Sequence, residues 1–194
     1  MLVSQATITT EESAVNATSS QLGESAAPSP FDTPGEWFVL HTRSRQEKAL
    51  AQDLTARRIP HFLPLCRAAH YYGKHKCMIE TPLFSNYLFL RGSLDDAYVA
   101  DRTRRVANII RCADQHKITW ELTNINLALL QHAPFVQYPA LVEGVRVEVR
   151  AGPFRGLQGV IESRTKGNRL ILQVQTLGRA VSFEIDGSLL DVID

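Results

Sequence analysis

The last fifty residues set the tightest constraint on what this chain can fold into. Past Gly144, apolar side chains fall at every second position: Val145, Val147 and Val149, and later Val181, Phe183 and Ile185, with polar or charged residues between them. Alternation with a period of two puts one set of side chains on a buried face and the other in water, as an antiparallel strand requires. Glycines at 152, 156, 159, 167, 178 and 187 punctuate the pattern. About five short strands separated by glycine turns predict a small β-barrel over residues 141–194.

One of those turns, "GPFRGLQG" at 152–159, has the glycine density of a phosphate cradle. A P-loop needs Gly-Lys-Ser/Thr opening a helix, and a dinucleotide-binding turn needs a helix and a later acid within a βαβ unit. Here the turn runs into Val160-Ile161, which is strand-like. The glycines therefore serve the backbone, supplying positive φ and close approach. Phe154, at the tip with Gly152, Pro153, Arg155 and Gly156, is expected to stand exposed as an anchor for a partner. The competing reading is a Phe that caps the barrel's own core.

Upstream the pattern is mixed. "GEWFVLHT" reads as a buried strand. "SRQEKALAQDLTARR" reads as a helix over about 45–58, with Ser44 and Glu47 as a capping box and Pro60 marking its end. "HFLPLC" predicts a strand, "YYGKHKC" a polar turn or hairpin tip around Gly73, and "PLFSNYLFLRG" a second buried strand stopped by Gly92. "SLDDAYVADRT" predicts a short helix capped by Ser93, "RVANIIRC" a strand, and "TWELTNINLALLQH" a helix striped by Leu122, Ile125 and Leu129. The order β-α-β-β-α-β-α is that of an α+β layer fold over residues 34–132. "APFVQYPAL", with its two prolines, reads as a linker over 133–140. Residues 1–33 are rich in Ser, Thr, Ala and Glu and read as a disordered acidic tail.

Charge is unevenly placed although the net charge is only +1. Residues 1–36 carry five acids and no Lys or Arg, whereas residues 41–76 carry eight Lys/Arg and two acids. Such a basic stretch in a near-neutral chain suits one surface that meets phosphates. Arg43 and Arg45 open the first helix, Arg57 and Arg58 close it, and Tyr71, Tyr72, Lys74, His75 and Lys76 lie in the next polar segment. Basic side chains interleaved with aromatics suit phosphate contact and base stacking. For Arg57 and Arg58 the rival role is to complement the helix dipole.

Other chemistries find little support. Cys66, His70, His75 and Cys77 are all legitimate zinc ligands, but no C-x2-C pair organises them, so no metal is expected. Neither G-x-S-x-G nor H-E-x-x-H occurs, so neither an enzyme nor a cofactor is expected. Three cysteines make no disulfide framework and fit a reducing cytoplasm. Neither a secretory signal nor a membrane span is expected, since the first residues lack a basic start followed by an apolar run and no stretch reaches membrane-spanning length.

Two separated stretches now become recognisable. "GVRVEVRAGPFRGLQGVI" with "RLILQVQTLGRAVSFEIDGSLLDVI" resembles a KOW domain, the SH3-like β-barrel of the NusG family. "EWFVLHTRSRQEKALAQDL" with "TPLFSNYLFLRG" resembles the NusG N-terminal domain, an α/β sandwich. The resemblance covers about residues 36–193, and "TRSRQEK" and "PLFSNYLF" look closer to the specialised RfaH-like and UpxY-like antiterminators. It implies a monomeric bacterial transcription elongation factor that grips the clamp helices of RNA polymerase through an apolar pocket and suppresses pausing or termination. Trp37, Phe84, Tyr87, Phe89 and Ile109 match that pocket, and their competing role is sheet core. Phe84 can share a face with Tyr87 and Phe89 only if Ser85-Asn86 bends the chain. The resemblance also implies contact with the non-template DNA strand through the basic residues, and with Rho or a small-subunit ribosomal protein through the KOW turn. "DAYVAD" departs from the His-Thr-Thr that RfaH-like relatives carry for a gate-loop contact. The rival class is a ribosome- or RNA-binding KOW module of the translation apparatus, against which stand the N-terminal α+β unit and the low net charge.

Overall fold

The protein is described from a computed structural model, which covers residues 28–72, 75–138, 144–164 and 167–193. Its first sheet has the order β2-β5-β1-β6, from His61–Phe62, Tyr87–Gly92, Glu36–Thr42 and Val106–Arg111. All three pairings are antiparallel. β1 is central and almost fully buried, with Trp37, Phe38, Val39 and Leu40 each at most 1% exposed. Its alternation divides the interior into two. Phe38 and Leu40, with Leu88 and Leu90 of β5, pack against α1 (Glu47–Ala56) and α2 (Leu94–Asp101). Trp37 and Val39, with Phe89, face the other way, toward α3 (Gln115–Leu130).

Local signals explain most of these elements. Ser93 caps α2 with a full capping box, its Oγ accepting from the Asp96 N–H while the Asp96 carboxylate accepts from the Ser93 N–H. Asp114 caps α3 by accepting the Lys117 N–H at 2.9 Å. The next residue, Gln115, ties the helix to the sheet: its Oε1 accepts the Trp37 N–H at 2.7 Å and its Nε2 donates to the Trp37 carbonyl at 3.1 Å.

Several expectations are corrected. The capping box at Ser44 does not form: α1 starts after Gln46, which makes no side-chain cap, and Arg45 has φ 58°. Glu47 instead turns inward and accepts the Asn86 N–H at 2.7 Å, clamping a loop 39 residues away. "HFLPLC" is not one strand. β2 ends at Phe62, and β3 (Leu65–Tyr72) begins after Pro64, whose ring cannot donate to a ladder. β3 and β4 (His75–Pro82) form a long ribbon paired from Leu65↔Pro82 to Tyr72↔His75, so most of the expected polar turn is strand. "PLFSNYLFLRG" is a strand only from Tyr87. Before it Asn86, at φ 68°, bends the chain. The tail expected over 1–33 is described from residue 28, where Phe31 packs on Trp37 and Phe62 at 5.7 and 5.1 Å. The expectation for residues 1–27 falls outside the described residues.

The second sheet is antiparallel, with the order β12-β8-β9-β10-β11-β7. Its strands are β7 (Val136–Tyr138), β8 (Arg146–Val149), β9 (Gln158–Arg164), β10 (Gly167–Val174), β11 (Arg179–Ile185) and β12 (Leu190–Val192). Val147, Val149, Val181 and Phe183 are buried as the alternation requires, while Val145, before the strand, is exposed. β7 comes from the segment read as linker: Val136 pairs with Ser182, so that stretch extends the sheet. The reason is that Val-Gln-Tyr lies between the two prolines and its strand propensity finds an open edge on β11. No helix among the described residues is long and apolar enough to cross a membrane.

The bend at Asn86 yields a direct test. Asn86→Val places a β-branched residue at positive φ and is expected to cost about 1–3 kcal/mol in urea unfolding, whereas Asn86→Gly stays within about 0.5 kcal/mol of the parent.

Candidate functional site

The bend brings Phe84 to the same side of the sheet as Phe89 and Tyr87. Phe84 and Phe89 meet edge to face at 6.3 Å, and Tyr87 lies against His41 with ring centres 5.1 Å apart. Trp37 joins the same cluster and donates its indole N–H to Thr119 Oγ1 of α3 at 3.1 Å, with the Arg91 guanidinium over its ring. Trp37, Phe84 and Phe89 are at most 2% exposed and act as core, leaving Tyr87 as the half-exposed member. Ile109 does not belong with them. It pairs with Leu40 and lies on the α1/α2 face, while its neighbour Ile110 pairs with Val39 and packs into the Trp37 cluster. One residue along a strand exchanges the faces.

Of the basic residues, Arg43 and Arg45 are exposed in the loop between β1 and α1. Arg57 folds back, donating to the Asp53 carbonyl at 2.7 Å, and Arg58 is exposed at φ 57°. Lys74 lies outside the described residues, and of Lys76 only the strand backbone is described. The sequence reading missed Arg102, Arg104 and Arg105. The Arg43 N–H donates to the Arg105 carbonyl at 2.8 Å, which brings the loop after α2 beside the loop before α1. Arg105 is held by Asp53 at 2.7 Å, while Arg102 and Arg104 are exposed. Three arginines in the four residues "RTRR" were the available signal. Of the four zinc-type residues weighed in the sequence, Cys66 Sγ is near the Thr81 carbonyl at 3.6 Å and Cys77 is exposed, while the His70 and His75 side chains lie outside the described residues.

The glycine turn is a backbone device. Gly152 and Gly156 have φ of 83° and 84°, and the Gly156 N–H donates to the Val149 carbonyl at 2.7 Å. Pro153 and Arg155 are exposed, whereas Phe154 is less exposed than expected. It is half-buried on Phe183, with ring centres 4.9 Å apart, and so completes the apolar interior of the second sheet.

A contact that the sequence did not announce joins the two sheets. α3 presents Trp120, Glu121 and Asn124, neighbours at helical spacing, to β9, β10 and the turn after β10. Gln158 is the hub. Its N–H donates to Asn124 Oδ1 at 2.7 Å, its Oε1 accepts the Trp120 indole N–H at 2.9 Å, and its Nε2 donates to Glu148 at 2.7 Å. Gly159 is required beside it, because a Cβ there would stand 2.7 Å from the Ile171 carbonyl oxygen. The Arg146 guanidinium covers the Trp120 ring at 4.8 Å. The Glu121 carboxylate is buried, and the Gln175 N–H donates to its two oxygens at 3.2 and 3.3 Å. Burial pushes its pKa up to about 7, against the lowering influence of the Gln175 N–H and of Lys117. Burial likewise raises the adjacent Cys112 thiol to about 11, opposed by a hydrogen bond with the Thr176 side chain. A cavity of about 450 Å³ opens along this contact.

Residues 35–125 match the family model described as "Transcription termination factor nusG". The matched stretch spans the first sheet and most of α3. Solved structures similar to this chain include "Domain interaction in Thermotoga maritima NusG", 19% identical over 82% of this chain and 97% of that one, with a TM-score of 0.43. Another is "Crystal Structure of MjSpt4:Spt5 complex conformation B", 14% identical over 81% and 97% respectively, with a TM-score of 0.29. No curated protein matches the chain.

If Phe154 serves the interior, Phe154→Ala costs about 1–3 kcal/mol in chemical unfolding, below the full cost of a completely buried Phe. A change within about 0.5 kcal/mol would return it to the role of exposed anchor.

Proposed function

We propose that this protein is a transcription elongation factor of the NusG type, an operon-specific antiterminator that works by contact and without catalysis. The observation that carries the reading is the family match over residues 35–125, on a unit in which the bend before β5 gathers Phe84, Tyr87 and Phe89 on one face. That face is the candidate contact for the clamp helices of RNA polymerase, with Tyr87 the accessible member and His41 against it. Binding that holds polymerase in a non-pausing state needs only an apolar contact with a differential affinity for two polymerase states. The exposed Arg43 and Arg45, joined by Arg102 and Arg104 across the loop contact, suit a single strand of DNA held by its phosphates. The second unit, read as a KOW barrel, carries the exposed Pro153 and Arg155 for a further partner, with Rho or a small-subunit ribosomal protein as the candidates. The reading implies a cytoplasmic monomer.

Capture of core RNA polymerase from host lysate on the immobilised full-length protein tests it. The parent protein should retain polymerase, and Tyr87→Ala, which leaves the buried Phe84 and Phe89 in place, should weaken capture roughly tenfold, as loss of a central aromatic contact does. Failure to retain polymerase, with ribosomal subunits or rRNA retained instead, would replace this reading with the translation module.

A further inference from the structure

The contact between α3 and the second sheet holds one carboxylate in an unusual position. Glu121 is 3% exposed. Its oxygens share one backbone N–H, that of Gln175, at 3.2 and 3.3 Å. It forms no ion pair with a described residue. The groups around it come from each packed element. On α3 these are Lys117 one turn back and Asp114 at the cap. From the end of β6 comes the neutral Cys112 thiol. From the second sheet come the Gln175 N–H and the Thr176 side chain. Arg146 and His116 line the neighbouring cavity, and Arg146 is already stacked on Trp120. One long, shared N–H is a poor substitute for the hydration that an ionised carboxylate loses on burial.

We propose that closure of the second sheet onto α3 takes up a proton at Glu121, so that the two units part more readily as pH rises. The geometry supplies the reason. The strands and turn that cover Glu121 belong to the unit that would leave, so separation returns the carboxyl to water. The sign is that of a raised carboxyl: burial lifts its pKa to about 7 from an ordinary 4.5. The closed arrangement therefore carries a cost above about pH 7 that is relieved as pH falls, with no further change below the ordinary carboxyl range. If the whole shift arises on closure, the closing equilibrium strengthens about tenfold between pH 8 and pH 6. The inference concerns the free protein and stands whether or not polymerase is the partner.

Amide hydrogen exchange of the full chain reads this equilibrium even when the open form is rare. The Gln158 and Gln175 amides donate across the contact, and Leu172 inside β10 reports the second sheet itself. After correction for base catalysis, protection at Gln158 and Gln175 should fall up to about tenfold from pH 6 to pH 8, with Leu172 unchanged. Glu121→Gln keeps the shape and an acceptor oxygen but cannot ionise, so it should abolish the dependence, while His116→Ala should leave it intact. Protection that is the same at both pH values in the parent, or a dependence that persists in Glu121→Gln, would overturn the proposal.

Discussion

Everything in the first unit follows from burying β1 on both faces. A strand flanked by β5 and β6 has no free edge, and four successive side chains, Trp37 to Leu40, are removed from water. Alternation then assigns them. Phe38 and Leu40 need α1 and α2, and Trp37 and Val39 need α3. Gln115 fixes where α3 begins by pairing with both backbone polar groups of Trp37. Once that face of α3 is spent on the sheet, the residues one turn around it, Trp120, Glu121 and Asn124, are left for the second unit. A helix that serves two sheets makes their relation a property of side-chain hydrogen bonds rather than of the connecting segment alone.

Much of this was legible in the sequence because the signals were local. Ser93 with Asp96, the glycines at positive φ, the alternation at Val147 and Val149, and the apolar run of β1 each act within a few residues. The failures share the opposite property. Ser44 and Glu47 had capping-box spacing, but Glu47 is worth more as the acceptor for a backbone N–H 39 residues away. Phe154 at a glycine turn looks exposed until Phe183, 29 residues on, provides a ring to lie against. The pairing register that separates Ile109 from Ile110 is decided by β1, not by "RVANIIRC" itself. Val136–Tyr138 becomes a strand only because β11 offers an edge.

The candidate site was legible in part for the same reason. Strand periodicity made a bend at Ser85-Asn86 the condition for the grouping that the resemblance implied, and the bend is present and gathers Phe84, Tyr87 and Phe89. How much of that group is buried could not be read from one strand, since it depends on α3 and the neighbouring strands. The contact residues of α3 gave still less signal. Gln158, Gln175 and Asn124 are ordinary surface residues until their hydrogen bonds find each other across the fold.

The account rests most heavily on α3 holding both sheets at once in the free protein. Backbone 15N relaxation near pH 6, comparing amides of β1 and β5 with those of β10 and β11, tests this most directly. A single rotational correlation time for all four strands, set by the whole chain, is the predicted result. Two distinct and shorter correlation times, one for each sheet, would show that the units tumble separately and would contradict it.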